Sequence, residues 1–124
     1  MTLLRPGLLL AIAVVFLVSC GSDDTGPLLE ATGDGEPADY EFVIPDGTWD
    51  RTYAGEEIEI LPARLDVAVG ETIRIVNEDD HGHYVGIFYV GPRETVTQRF
   101  SSPGEFKGQC TVHPSGEITL VVSG

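Results

Sequence analysis

The sequence predicts an all-β domain, a small antiparallel Greek-key β-sandwich or barrel, and three observations predict it. From Tyr40 onward, short runs of apolar, aromatic and β-branched residues recur, several with period-two alternation. Turn residues separate them at strand-sized intervals: Gly47, Gly55, Gly70, Gly91 with Pro92, and Pro103 with Gly104. No segment carries a helical stripe of about ten or more residues.

Residues 40–44 are apolar and aromatic, and 58–61 follow the acidic pair Glu56 and Glu57. Leu65, Val67 and Val69 alternate with Asp66 and Ala68 before Gly70, and 72–76 alternate through Ile73 and Ile75. A longer run of β-branched and aromatic residues covers 84–90, a strand over 105–110 leads to Cys110, and 118–122 form the last strand. That strand suits a sheet edge or a central place equally. Residues 46–55, with Trp49 and Tyr53, read as a loop covering one end, and the remaining aromatics as core or rim.

The first part of the chain reads differently. Arg5 precedes an apolar segment over 8–18, whose end runs through Leu17, Val18 and Ser19 into Cys20. The apolar core is shorter than the roughly 20 residues that span a bilayer, and acidic, polar residues follow at once. Residues 1–19 are therefore expected to be a lipoprotein signal peptide. Cleavage before Cys20 would leave a lipidated cysteine anchoring the protein on the extracytoplasmic side of a bacterial membrane. Residues 20–39, rich in Gly, Asp, Glu, Thr and Pro, read as a disordered linker. Residues 40–124 make one small domain, expected to be monomeric.

All 20 acidic residues lie after Cys20, against 6 of the 7 basic ones, so the exported part carries a net charge of −14. Phosphate binding needs a basic footprint that this chain lacks, which excludes nucleic acid as a partner. A basic protein or a cation fits the charge better.

The chemistry centres on the thiol. With Cys20 lipidated, Cys110 has no disulfide partner in an oxidising compartment, and His113 stands three positions on. A metal site accounts for such a thiol. A second imidazole is available from the loop 77–83, which holds His81 and His83. One thiolate and two imidazoles form a set suited to copper, since soft sulfur holds Cu(I) and nitrogen serves both oxidation states.

These residues carry a resemblance. Gly108, Gln109, Cys110, Thr111, Val112, His113 and Pro114, with Asn77, Asp79 and His83 upstream, are similar to the motifs of the cupredoxins, the small blue copper proteins. The resemblance spans most of 65–122. It implies a cupredoxin-like sandwich holding one mononuclear copper through His83, Cys110 and His113, with His83 rather than His81 as the first ligand. It implies one-electron transfer with a redox or copper-exchange partner, and no enzymatic activity. Two departures stand out. Gly116 occupies the place of the family's axial Met, and Met1 is the only methionine. Tyr84 stands where the family commonly has an Asn whose side chain ties the two ligand loops together, so that side-chain tie is absent here. Axial or extra ligands would have to come from Glu117, His81, Gln109 or a backbone carbonyl such as that of Gly82. His81 otherwise reads as a solvent-exposed neighbour of the ligand, with a gate, switch or alternate ligand as the sharper role.

Other classes compete. A Cys/His nucleophilic enzyme lacks room for a cleft and a glycine-rich oxyanion loop. A structural zinc site lacks a fourth ligand. Copper storage or delivery, and a metal-free β-sandwich interaction module, are the alternatives to electron transfer.

Overall fold

The computed structural model describes residues 29–31 and 35–124. The expected signal peptide, the Cys20 lipidation site and most of the expected linker lie outside the described residues. Among the described residues, nine strands and one short helix follow in chain order: β1 (Leu29–Ala31), β2 (Tyr40–Ile44), α1 (Thr48–Tyr53), β3 (Arg64–Ala68), β4 (Thr72–Asn77), β5 (His83–Val85), β6 (Phe88–Val90), β7 (Thr95–Phe100), β8 (Gly104–Gln109) and β9 (Glu117–Ser123). Among the described residues no helix is long and apolar enough to cross a membrane.

The architecture is a β-sandwich. One sheet has the order β1-β7-β4-β2, the facing sheet β3-β9-β8, and β5-β6 form a separate hairpin. Alternation builds the facing surfaces: β3 buries Leu65 and Val67, and β9 buries Ile118, Leu120 and Val122. Ile44, Ile73, Ile75, Val90 and Phe100 meet them from the other sheet and the hairpin in one core. β9 is the central strand of its sheet, which settles a placement its pattern left open.

Within the sandwich, two pairings are parallel where an antiparallel arrangement is expected. β2 runs parallel to β4, and β3 parallel to β9. Each pair is joined through the opposite sheet rather than by a hairpin, and such crossovers permit parallel neighbours. The consequence reaches the site. Ile44 at the end of β2 is in register with Asn77 at the end of β4, so α1, which follows β2, emerges beside the loop that follows β4.

Four further differences have local causes. Leu29–Ala31, inside the expected linker, pairs antiparallel with β7. Residues 58–61 form no strand; Leu61 is buried and Ile60 donates one backbone bond to Val112 before Pro62 interrupts. The run 84–90 is not one strand but a hairpin, turning at Gly86 (φ 60) and Ile87, with the glycine at the first turn position as a two-residue hairpin favours. Residues 46–55 hold a helix of six residues in place of an irregular loop.

Candidate metal centre

Two loops at one end of the sandwich carry the chemistry. The first, between β4 and β5, is organised by Asn77, whose buried side-chain amide donates to the carbonyls of His81 (2.8 Å), Val90 (3.3 Å) and Gly91 (2.9 Å). Its oxygen accepts the Asp79 N–H at 3.0 Å. A short polar side chain thus satisfies backbone groups that the tight turn leaves unpaired. The second loop follows β8: the Cys110 N–H reaches the Gly116 carbonyl at 2.8 Å, and the Gly116 N–H returns to His113 at 2.9 Å. Gly116 has φ 73, so the residue in the axial Met's place closes this turn in a left-handed conformation.

The tie between the loops comes from Thr111. Its N–H donates to the Tyr84 carbonyl at 2.9 Å, its hydroxyl oxygen accepts the Tyr84 N–H at 3.1 Å, and the Gly86 N–H bonds the Gln109 carbonyl at 2.7 Å. Backbone and one threonine therefore do what the Tyr84 side chain cannot. The Tyr84 ring instead leans on Tyr89 at 5.0 Å, outside on the hairpin.

His83, Cys110 and His113 all line one pocket, together with Trp49, Thr111 and Gly116. Cys110 is a buried free thiol. Burial pushes its pKa up, opposed in part by the Val112 N–H directed at the sulfur. The neutral thiol is thus the form that the metal-free protein holds, and such a buried thiol is shielded from oxidants. His83 is 1 % exposed; its Nε2 lies 2.8 Å from Asp79 Oδ2 and its Nδ1 3.1 Å from the Thr111 hydroxyl. His113 accepts the Ser115 N–H at Nδ1 (3.0 Å), which leaves the ring proton on Nε2, 3.8 Å from the Glu59 carboxylate.

The donor set fits copper in kind: one soft sulfur and two imidazoles on a common wall, with a carboxylate behind one of them. The spacing is looser than a bound set. Among the described residues, the only donor atoms of His, Cys, Asp and Glu that come within 4.8 Å of one another in a group of three or more are those of Asp79, Asp80 and His81. His83 and His113 each turn Nδ1 toward a protein partner, Thr111 and Ser115, so both rings have a hydrogen bond to exchange for a metal bond.

Of the axial candidates, Gln109 lines the pocket beside Gly116. Glu117 is exposed at the start of β9 and is not among the lining residues. His81 is also absent from the wall: it pairs with Asp80 (2.7 Å) and lies flat on Trp49, with ring centroids 5.1 Å apart and planes 8° from parallel.

The residue that sequence reasoning left without a role is Asp79. Its carboxylate is fully buried and accepts from the N–H groups of Gly47 (3.2 Å), Trp49 (2.8 Å) and Asp80 (2.9 Å) as well as from His83. Burial alone raises its pKa, but the His83 bond and the backbone donors of Trp49, Asp80 and Gly47 outweigh it and hold it at about 2. The folded value lies below the ordinary 3.8, so this stabilisation is complete above the ordinary value and is lost as pH falls through about 2. We expect the metal-free protein to lose about 2 kcal/mol between roughly pH 4 and pH 2 through this group. Urea unfolding along a pH series, with Asp79→Asn flattening the slope, checks it; an equally steep slope in the variant would contradict it.

No protein-family model matches the chain, and no curated protein sequence matches it. Among solved structures, the chain is similar to amicyanin from Paracoccus versutus, at 18% identity and a TM-score of 0.48, covering 77% of this chain and 98% of that one. It is also similar to a purple cupredoxin from Nitrosopumilus maritimus, at 24% identity and a TM-score of 0.44, covering 68% of this chain and 100% of that one.

Proposed function

We propose that this protein binds one copper ion through His83, Cys110 and His113 and transfers single electrons, held at the outer face of a bacterial membrane by a lipid on Cys20. The observation that carries the reading is the convergence of a buried free thiol and two imidazoles on one pocket at the end of a sandwich. Copper bound there would supply a one-electron couple between Cu(I) and Cu(II). The chain's own part is to hold the donors. Cys110 gives up its proton on binding, and burial keeps the sulfur from competing oxidants. The bonds joining Thr111 to Tyr84 and Gly86 to Gln109 tie the two ligand loops together, so that neither ligand moves alone. His113, less deeply set than His83, is the edge toward a partner.

Copper storage or delivery is the second reading, since the same soft sulfur and two imidazoles would also hold an exchangeable ion. Electron exchange separates the two. With a net charge of −14 on the exported part, the copper-loaded protein should exchange electrons at least about tenfold faster with a cationic one-electron reagent than with an anionic one at low salt. The advantage should shrink as salt rises. Equal, salt-independent rates would contradict acidic steering of a basic partner, and copper lost to a chelator before any exchange would favour delivery.

A further inference from the structure

Asp79 stands outside the three proposed ligands, yet it touches two things that matter to them. Its Oδ2 accepts from His83 Nε2 and from the Trp49 N–H, both at 2.8 Å, and its Oδ1 accepts from the N–H groups of Gly47 and Asp80. Gly47 and Trp49 flank the start of α1, which has no side-chain cap of its own. A loop some thirty residues away in sequence therefore caps this helix. Trp49, so placed, lies flat on His81 and edge-on to His83, with centroids 6.4 Å apart, and forms part of the pocket wall.

We infer that Asp79 is the positioning residue of the centre: one buried carboxylate fixes the His83 ring with its proton on Nε2 and its lone pair at Nδ1, and seats α1 so that Trp49 stands edge-on to that ring. The inference rests on the copper reading for its purpose, though not for its geometry. A carboxylate only accepts, so Nε2 must carry the proton, and Nδ1 is left as the donor atom. That nitrogen lies against Thr111, the residue after Cys110, and the Thr111 hydroxyl is 3.1 Å from Nδ1 and 3.3 Å from the Tyr84 carbonyl. One hydroxyl proton shared between two acceptors leaves Nδ1 lightly held and ready to turn to a metal. Such a partner behind a ligand also raises its basicity and restricts its rotation.

Asp79→Asn tests this because the amide has one acceptor where the carboxylate has two. Placing the amide NH2 on the Oδ1 side would oppose two backbone N–H groups, Gly47 and Asp80, which cannot change. On the Oδ2 side it opposes only the Trp49 N–H, because His83 can shift its proton to Nδ1 and accept at Nε2. The variant should therefore switch the His83 tautomer and block the atom reserved for the metal.

The experiment reads the His83 tautomer by nitrogen-15 NMR in the metal-free wild type and in Asp79→Asn, with Trp49 fluorescence, and then titrates both with Cu(II). The expected result is an Nε2–H tautomer in the wild type, an Nδ1–H tautomer and shifted Trp49 emission in the variant, and a Cu(II) affinity lower by about 10- to 100-fold. A wild-type His83 protonated at Nδ1 alone would overturn the inference, as would a variant whose tautomer is unchanged and whose affinity stays within about twofold. A variant too unstable to study leaves the wild-type tautomer to decide. Since the tautomer is read without metal, a wild type that takes up no copper would remove the copper reading alone, and the tautomer result would still uphold or overturn the role of Asp79.

Discussion

Cys110→Ser is expected to abolish specific copper binding while leaving the fold in place. A serine hydroxyl does not ionise near neutral pH as a metal-bound thiol does, and it would offer the proposed copper a harder oxygen in place of soft sulfur. The two imidazoles that remain belong to different loops and are turned toward Thr111 and Ser115. With the sulfur gone, nothing draws them together. Affinity should fall by at least about 100-fold, a larger loss than removing a residue behind a ligand produces. The metal-free variant should unfold within about 1 kcal/mol of the wild type, because the side chains are nearly the same size and the Val112 N–H can donate to the hydroxyl oxygen in place of sulfur. Circular dichroism and Cu(II) titration on one preparation check both halves. A variant that keeps wild-type copper affinity would contradict the ligand assignment.

Gly108→Ala is expected to destabilise the metal-free protein by about 2–3 kcal/mol, the range for forcing extra volume into a packed site. A Cβ at this position would stand 2.7 Å from the backbone of Gly86, including its Cα and carbonyl oxygen. Main chain in a tight turn cannot give way as the end of a side chain can. β8 and the β5-β6 hairpin would have to part, and with them the Gly86–Gln109 bond and the bridge between Val85 and Cys110. The same change should therefore loosen the placement of Cys110 and weaken copper binding as well as the fold. Gly116→Ala is the comparison. There a Cβ meets nothing within 4 Å and the cost comes only from φ +73, about 1 kcal/mol. Urea unfolding of the two variants should rank them in that order. The reverse order would mean that the approach of β8 to Gly86 is not a tight one.

The strands that were legible in the sequence are those that alternate. Leu65 and Val67 in β3 and Ile118, Leu120 and Val122 in β9 point to one face, and period two reveals them. β7 escaped notice because its core face sets Gln98 between Val96 and Phe100, and its outer face is polar throughout. α1 escaped because six residues are too few for a helical period, and because its cap is supplied by Asp79 from another loop. Parallel pairing of β2 with β4 is a property of the crossover, which local patterns do not encode.

The site divides in the same way. Cys110 and His113 could be paired from their spacing, whereas Asn77, Asp79 and the choice of His83 over His81 came only from the resemblance to the cupredoxin motif. What those residues bond to could not be read. Thr111 replaces the missing Asn as the tie between loops, Asp79 holds both His83 and the start of α1, and Trp49 stacks on His81. Each is a contact across the fold, fixed by the register of strands rather than by neighbouring sequence.

The measurement that bears most directly on the central claim is the visible spectrum of the protein during anaerobic titration with Cu(II), with copper content determined after dialysis. The account predicts an intense thiolate-to-copper band that grows to one equivalent, stops there, and survives dialysis with one copper per chain. A spectrum without that band, and a dialysed protein without stoichiometric copper, would contradict it and leave a β-sandwich interaction module with an idle buried thiol.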